Sequence, residues 1–169
     1  MDNVIWVDEN DTELGIISRE RAHREGLLHR IVVTYLTRPN GDILGQERMS
    51  GRLDHSSAGH VDPGESYLAA AKRELNEELG ITPENFNEVG KTTSDDIEPE
   101  ENGCRVRHMF TIFTCQAEPG RLAPDEVKSV FWANPEKVKA EMQHDPGNER
   151  YTGGFKASLQ FFLHSKSVS

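Results

Sequence analysis

The stretch from residue 59 to residue 81, GHVDPGESYLAAAKRELNEELGI, constrains this chain more than any other segment. Its glycine- and proline-rich start predicts a loop, in which Asp62 can cap a following helix. Apolar residues then recur at helical spacing, which predicts a helix from about Glu65 to Leu79, ended by Gly80 in the left-handed conformation. The stripe expected to face the core consists of Leu68, Ala71, Leu75 and Leu79.

Three glutamates stand away from this stripe. Glu74, Glu77 and Glu78 are spaced i, i+3 and i+4, which brings their carboxylates together on one side of the helix. Like charges this close destabilise an isolated helix unless a cation lies among them. Mg²⁺ and Mn²⁺ prefer such hard oxygen ligands. A glutamate-rich helix that is simply solvated is the alternative.

The fixed residues around these glutamates resemble the Nudix box of the Nudix hydrolase family. That pattern is Gly, five residues, Glu, seven residues, Arg-Glu, an apolar residue, any residue, Glu-Glu, any residue, Gly and an apolar residue. Every position matches, at Gly59, Glu65, Arg73, Glu74, Leu75, Glu77, Glu78, Gly80 and Ile81. The resemblance implies the Nudix fold, an α/β architecture in which a mixed β-sheet is sandwiched between α-helices (α/β/α).

The resemblance also implies roles for the box residues. Glu74, Glu77 and Glu78 would bind Mg²⁺ or Mn²⁺, helped by the backbone carbonyl of Gly59. Glu74 would also hold or deprotonate the attacking water. Arg73 would pair with box carboxylates and hold them in place. Glu65 would lie near the metal or pair with Arg73; a helix-start role is its alternative.

Nudix enzymes often use a further acid from outside the box. Acidic residues that could serve are Glu98, Glu100, Glu101, Asp125 and Glu126. We select Glu126, beside a predicted strand, as the third catalytic candidate with Glu74 and Arg73. Arg48 and Arg52 are candidate phosphate contacts, with ordinary surface roles as the alternative.

The length predicts that the whole chain, residues 1 to 169, forms one domain. A hairpin and a short helix are expected within residues 1 to 28. We expect a hairpin from Val4 to Ser18 and a helix capped by Ser18 through about Gly26. Further predicted strands are 29–38 with its partner 43–49, 86–94, 105–117 and 126–132, and further predicted helices begin after Asn134 and span 155–164. Loops are predicted at 50–58, 95–103 and 145–154.

Composition limits the partners. A net charge of −10 disfavours binding to nucleic-acid polymers, although a small phosphorylated substrate stays compatible through metal ions. We see no run of about 18 apolar residues, so we expect no membrane association. Cys104 and Cys115 match no zinc spacing and favour a reducing cytoplasm. The partner we expect is a small-molecule diphosphate, and a homodimer is compatible with this interpretation.

A second resemblance covers the N-terminal half. The segments WVDENDTELG, AHREGLLHR and GQERMSGRLDHSSAGHVDPGE are similar to type 1 isopentenyl-diphosphate isomerase and its hydrolase relatives. In the isomerases, histidines equivalent to His23, His29 and His60 bind a metal; capping or surface roles are the alternative here. Ala58 replaces the catalytic Cys of the isomerase motif. The expected Glu-x-Glu pair is absent from the segment RVRHMF.

Three functions therefore stay open. The first is metal-dependent hydrolysis of a diphosphate linkage, in a nucleoside diphosphate linked to another moiety or in a related diphosphate. The second is isomerisation of a prenyl diphosphate. The third is a nucleotide-sensing module without turnover. The intact box favours the hydrolase, and the sequence does not name its substrate.

Overall fold

The structure is a computed structural model that describes residues 2 to 168. Its strands are β1 (Asn3–Val7), β2 (Glu13–Ser18), β3 (Leu28–Thr37), β4 (Ile43–Arg48), β5 (Leu53–Asp54), β6 (Ser57–His60), β7 (Phe86–Glu98), β8 (Cys104–Gln116) and β9 (Val127–Ala133). Its helices are α1 (Arg19–Glu25), α2 (Tyr67–Leu79), α3 (Pro135–Met142) and α4 (Gly153–Ser167).

Strand β3 is the centre of a mixed sheet. One edge of β3 pairs in parallel with β8 along its whole length, and β8 pairs antiparallel with β7. The other edge meets β1, β6 and β4 in turn, all antiparallel. Strand β4 continues the sheet to β5 and β9. This arrangement places β6, which ends at the start of the 59–81 stretch, directly beside β3.

Alternate residues of β3 point to two different helical layers. Ile31, Val33 and Tyr35 pack in a core with Phe155 and other residues of α4. Val32 packs on the opposite side with Ala71 of α2. Because both faces of β3 are covered by helices, the strand is buried almost throughout, as expected for a strand paired in parallel. The predicted α/β/α architecture is confirmed.

Helix α2 differs in its first turn from the sequence prediction. It begins at Tyr67, and its cap is Ser66, whose Oγ accepts a hydrogen bond from the Ala69 amide at 3.1 Å. Glu65 and Asp62 therefore precede the helix, and the prediction of Asp62 as its cap is wrong. Leu68 is 41% exposed, whereas the other three residues of the predicted apolar stripe are buried.

The C-terminal end of α2 was predicted correctly. Gly80 has φ 64°, a left-handed conformation that residues other than glycine adopt at a cost. A side chain there would also collide with the backbone of Arg121, whose carbonyl oxygen would lie 2.6 Å from the added carbon. The glycine is therefore required both by conformation and by a close chain approach.

Several predicted elements are confirmed with shifted boundaries. The β1–β2 hairpin and α1 form as expected, with Ser18 and Gly26 as caps. Asn134 caps α3, and α4 is longer than the 155–164 prediction. The predicted loops contain more strand than expected: 50–58 includes β5 and β6, and β7 runs to Glu98 because its far end pairs with β8. Strand β4 pairs mainly with β9 and meets β3 at a single position.

Two further sequence predictions concern cysteines and membranes. Cys104 and Cys115 are both free thiols. Among residues 2 to 168, no helix is long and apolar enough to cross a membrane.

Candidate active site

A cavity of about 1160 Å³ opens beside α2 and β6. Its wall carries the three box glutamates, Glu74, Glu77 and Glu78, which we call the carboxylate cluster. The same wall carries His23, His60 and His108, three of four histidines described below. The predicted metal-binding residues therefore share one concave site with histidines from other parts of the fold, as is typical of a ligand pocket.

The members of the carboxylate cluster differ in burial. Glu78 is only 5% exposed, and its Oε2 accepts a hydrogen bond of 2.5 Å from the Gln46 side-chain amide. The Glu74 side chain is 12% exposed. Glu77 stands at the rim, with 54% of its side chain exposed. Two carboxylates of one helix are thus largely withdrawn from water.

Burial makes these carboxylates hard to ionise. It raises the pKa of Glu74 to about 7, and the nearby charges of Glu77 and Glu126 add to the shift. Burial also raises the pKa of Glu78 well above its ordinary value, with the charges of Glu74 and Asp54 acting in the same direction. A divalent cation among these oxygens would remove the conflict, so the donor set fits a hard cation such as Mg²⁺ or Mn²⁺.

Arg73 ties the neighbouring acidic groups together. Its Nε and Nη2 donate to the two carboxylate oxygens of Glu65 at 3.0 and 2.9 Å. Its Nη1 donates to Glu74 at 2.5 Å and to Glu77 at 3.4 Å. Its Nη2 also donates to the backbone carbonyl of His60 at 2.9 Å. The guanidinium thus fixes Glu65 and Glu74 relative to strand β6.

Gly59 is a point of close approach between β6 and a side chain of α2. A Cβ atom at this position would lie 2.0 Å from the Glu74 carboxyl carbon. Only glycine therefore lets the Glu74 side chain lie over the β6 backbone. The predicted Gly59 position thus adjoins the carboxylate cluster.

Glu126 lies on the wall of the same cavity, near enough to Glu74 for its charge to raise that residue's pKa. The other acidic candidates, Glu98, Glu100, Glu101 and Asp125, line the same cavity, and the three glutamates among them are paired with basic side chains. Glu98 accepts a hydrogen bond from the buried Arg52 at 2.8 Å, and Glu100 pairs with Arg48 at 2.9 Å. The location of Glu126 is therefore compatible with its predicted role, while the two arginines already hold acidic partners.

The structure also brings together the three histidines that the isomerase resemblance singled out. His23 comes from α1, His29 from β3 and His60 from β6, and a fourth, His108, comes from β8. One ring nitrogen of each lies within 4.8 Å of those of the other three. We call these four residues the imidazole cluster.

Sequence reasoning missed His108 as a member. The strand that contains it was predicted, but nothing in the neighbouring sequence distinguishes this position from the rest of the strand. The parallel register of β3 and β8 places His29 opposite His108, although residue 108 lies 79 positions after residue 29 in the chain. A pairing of this separation leaves no local signal, so only a correct topology would have found it.

Fold and site together define an α/β protein in which the carboxylate cluster and the imidazole cluster lie beside one cavity. The NUDIX domain family model matches residues 27–152. The chain therefore belongs to the Nudix family. The match leaves the β1–β2 hairpin, α1 and α4 outside, although β1 pairs with β3 and α4 packs in the core against the sheet.

Curated relatives carry two kinds of name. An uncharacterised Nudix hydrolase of Yersinia pestis is 35% identical over 80% of this chain and 76% of its own length. An isopentenyl-diphosphate Δ-isomerase of Serratia proteamaculans is 32% identical over 90% of this chain and 86% of its own. A crystal structure from Deinococcus radiodurans has a TM-score of 0.72 at 23% identity, covering 94% of this chain and 97% of its own. That last likeness supports the fold.

Proposed function

We propose that this protein hydrolyses a diphosphate linkage in a small substrate with Mg²⁺ or Mn²⁺ as cofactor. Membership of the Nudix family and the intact box make it a hydrolase of phosphoric anhydride bonds. The observation that carries the finer proposal is the pair Glu74 and Glu78, buried together in one cavity with raised pKa values. We propose a nucleoside diphosphate linked to another moiety, or a related diphosphate, as the substrate class.

The chain's own groups divide the work. When bound, a divalent cation supplies charge neutralisation for phosphate oxygens and activation of a water molecule. Glu74, Glu77 and Glu78 would hold it, with the Gly59 carbonyl as a further oxygen donor. Arg73 keeps Glu74 in place, so that its carboxylate can hold the attacking water and accept its proton. Glu126, on the same cavity wall, is our choice for a further acid near this position.

Attack by water at phosphorus is testable directly. A panel of diphosphates with Mg²⁺ or Mn²⁺ identifies an accepted substrate. Hydrolysis of that substrate in ¹⁸O-labelled water should place the label in a phosphate product, since the mechanism uses water and no covalent enzyme intermediate. Label found only in the non-phosphate product would mean cleavage of a carbon–oxygen bond and would overturn the mechanism.

Isomerisation of a prenyl diphosphate is the second candidate, favoured by the isomerase names among the relatives. It needs groups that donate and remove a proton at a carbon skeleton. Ala58, at the position of the isomerase Cys, lines the cavity with a methyl group that can do neither. Incubation with isopentenyl diphosphate in deuterated water should therefore yield no deuterated dimethylallyl diphosphate. Its formation at a rate near that of a true isomerase would favour this second candidate.

The remaining proposals concern the setting of the enzyme. Two free cysteines fit a reducing compartment, and we propose the cytoplasm. We propose that the whole chain forms a single Nudix domain. We also propose a homodimer, which light scattering tests. The net charge of −10 disfavours a nucleic-acid polymer as a partner. A nucleotide sensor without turnover is the third candidate, and a substrate screen without any hydrolysis would favour it.

A further inference from the structure

His55 is a buried polar residue that the proposed mechanism does not use. It follows β5 directly, is only 3% exposed and lies on the wall of the cavity. Its Nε2 atom is buried and has no hydrogen-bond partner among residues 2 to 168. Because buried polar groups in folded proteins are almost always paired, an unpaired nitrogen beside a cavity indicates a place for a ligand.

Asp54 sets the orientation of the His55 ring. Its Oδ1 lies 2.6 Å from His55 Nδ1 and also accepts a hydrogen bond from Thr152 Oγ1 at 2.9 Å. Burial would raise the pKa of Asp54, but the charge and close contact of His55 outweigh it and hold that pKa below its ordinary value. An ionised carboxylate at this distance requires a proton on Nδ1, so Nε2 of the neutral ring is a hydrogen-bond acceptor.

Aromatic residues pack around the same ring. The ring centroids of Tyr35, Phe110 and Phe155 lie 6.0, 6.2 and 5.6 Å from that of His55. The Tyr35 hydroxyl already has a partner, since it lies 2.6 Å from Ser158 Oγ. The polar atom that His55 and its aromatic neighbours offer to a ligand is therefore Nε2.

The first turn of α4 passes His55 without a side chain. A Cβ atom added at Gly154 would lie 3.5 Å from His55 Cε1 and 3.8 Å from Nε2. A Cβ atom added at Gly153 would lie 2.0 Å from Asp96 Oδ2. Two successive glycines thus leave room beside the imidazole and beside the Asp96 carboxyl group, and both of these groups line the cavity.

The state of Asp96 indicates which ligand group suits this place. Its Oδ1 accepts a hydrogen bond from the Asn148 side-chain amide at 3.2 Å. Burial raises the pKa of Asp96, and the charge of Asp95 adds to the shift. A hydroxyl group, which both donates and accepts, can pair with an imidazole nitrogen and with such a carboxyl group. An ammonium group would need a fully ionised partner.

From this geometry we propose that the part of the cavity between β5 and the start of α4 binds a hydroxyl-bearing moiety of the substrate, a sugar, through His55 and Asp96. The inference rests on the proposed function and names the group that is joined to the diphosphate. The carboxylate cluster would hold the cation and the diphosphate, and the sugar would extend towards His55. An alkyl or prenyl chain in this place would leave Nε2 unpaired, so the site discriminates against it.

The test measures binding of two analogues that cannot be hydrolysed. The methylenebisphosphonate monoesters of glucose and of cyclohexanol carry the same diphosphate mimic on six-membered rings with and without hydroxyl groups. Isothermal titration calorimetry with Mg²⁺ gives the dissociation constant of each. We expect the wild-type protein to bind the glucosyl analogue at least about tenfold more tightly, because the cyclohexyl ring cannot satisfy the buried polar groups.

Matched variants locate the preference. His55→Phe keeps a ring among the aromatic neighbours but removes both nitrogens, so the preference should fall to about twofold or less. Gly154→Ala adds a methyl group beside Nε2 and should also reduce the preference. Alanine favours a helix, so Gly154→Ala keeps the test decisive if circular dichroism shows that His55→Phe does not fold. Gly147→Ala, at an exposed position before α4, is the control and should keep the wild-type preference.

The sugar site is overturned if the wild-type protein binds the two analogues equally or binds neither. It is also overturned if a folded His55→Phe or Gly154→Ala protein keeps the full wild-type preference. A trans-4-aminocyclohexyl analogue that binds more tightly than the glucosyl analogue would overturn the assignment to hydroxyl groups. Preference for the glucosyl analogue without hydrolysis of any diphosphate would contradict the proposed hydrolysis alone, and hydrolysis without this preference would contradict the sugar site alone.

Discussion

The carboxylate cluster and the imidazole cluster lie in one cavity but are assembled in opposite ways. All three glutamates come from two turns of α2, whereas the four histidines come from α1, β3, β6 and β8. The first consists of carboxyl groups and the second of imidazole rings. Neighbouring residues join them: Gly59 makes room for Glu74, and the carbonyl of His60 accepts from Arg73. One short strand thus positions two sites of different chemistry.

Burial acts on both clusters but with opposite sign. It raises the pKa of a carboxyl group and lowers that of an imidazole, because in each case the charged form is disfavoured. The buried carboxyl groups and the buried rings of His29, His60 and His108 therefore all favour their neutral forms. The comparison teaches that similar burial shifts the pKa values of acidic and basic groups in opposite directions.

The largest predicted effect is a loss of hydrolysis when the carboxylate cluster alone is changed. Replacing Glu78 by Gln keeps the side-chain size but removes a charge and an oxygen donor from the carboxylate cluster. We expect a loss of at least about a hundredfold in kcat/KM for diphosphate hydrolysis. Glu84→Gln is the matched control, since Glu84 is exposed and pairs only with Lys72 in the structure. Full activity of Glu78→Gln with unchanged Mg²⁺ dependence would contradict the role of the cluster.

A smaller effect is expected at the residue that joins the two clusters. Arg73→Lys keeps the positive charge but loses the two-pronged contact with Glu65 and the simultaneous contacts with Glu74 and the His60 carbonyl. We expect activity to fall about 10- to 100-fold, with a higher Mg²⁺ concentration needed for half-maximal rate.

The control for this change is Arg24→Lys on the exposed surface of α1, which should leave activity unchanged. Thermal unfolding of both variants shows whether each is folded. An Arg73→Lys enzyme with the wild-type rate and the wild-type Mg²⁺ requirement would show that Arg73 does not position the carboxylates.

Sequence analysis was more successful for the first cluster than for the second. Glu74, Glu77 and Glu78 lie within one helix, so helical periodicity alone brings them together. His108 joins His29 only through the parallel pairing of β3 with β8, which no local pattern encodes. The same limit explains why β4 was assigned to β3 when its main partner is β9. Local caps such as Ser18, Asn134 and Gly80 were found because their signals lie within a few residues.

The smallest predicted effect is on the pH dependence of stability in the metal-free protein. The folded pKa of Glu74, about 7, lies above its ordinary value of 4.5, so the folded state binds more protons between these values. Ionisation of Glu74 therefore lowers the free energy of unfolding as the pH rises from about 4.5 to about 7. The stability of Glu74→Gln relative to wild type should therefore rise by about 1 kcal/mol per pH unit between pH 5 and pH 7.

The imidazole cluster should show the opposite trend. The folded pKa of His29, about 4, lies below its ordinary value of 6.5, so its protonation in the unfolded state weakens the fold as pH falls from 6.5 towards 4. Urea unfolding of chelator-treated protein between pH 5 and pH 8 measures both trends. A Glu74→Gln stability difference that does not grow between pH 5 and pH 7 would contradict the assigned pKa shift.

Anomalous X-ray diffraction tests most directly the central claim that the carboxylate cluster binds the divalent cation used in hydrolysis. Crystals equilibrated with excess Mn²⁺ are measured above and below the absorption edge of manganese. We expect a manganese peak among the oxygens of Glu74, Glu77 and Glu78. Manganese bound elsewhere in the cavity, with no peak at these carboxylates, would contradict the account.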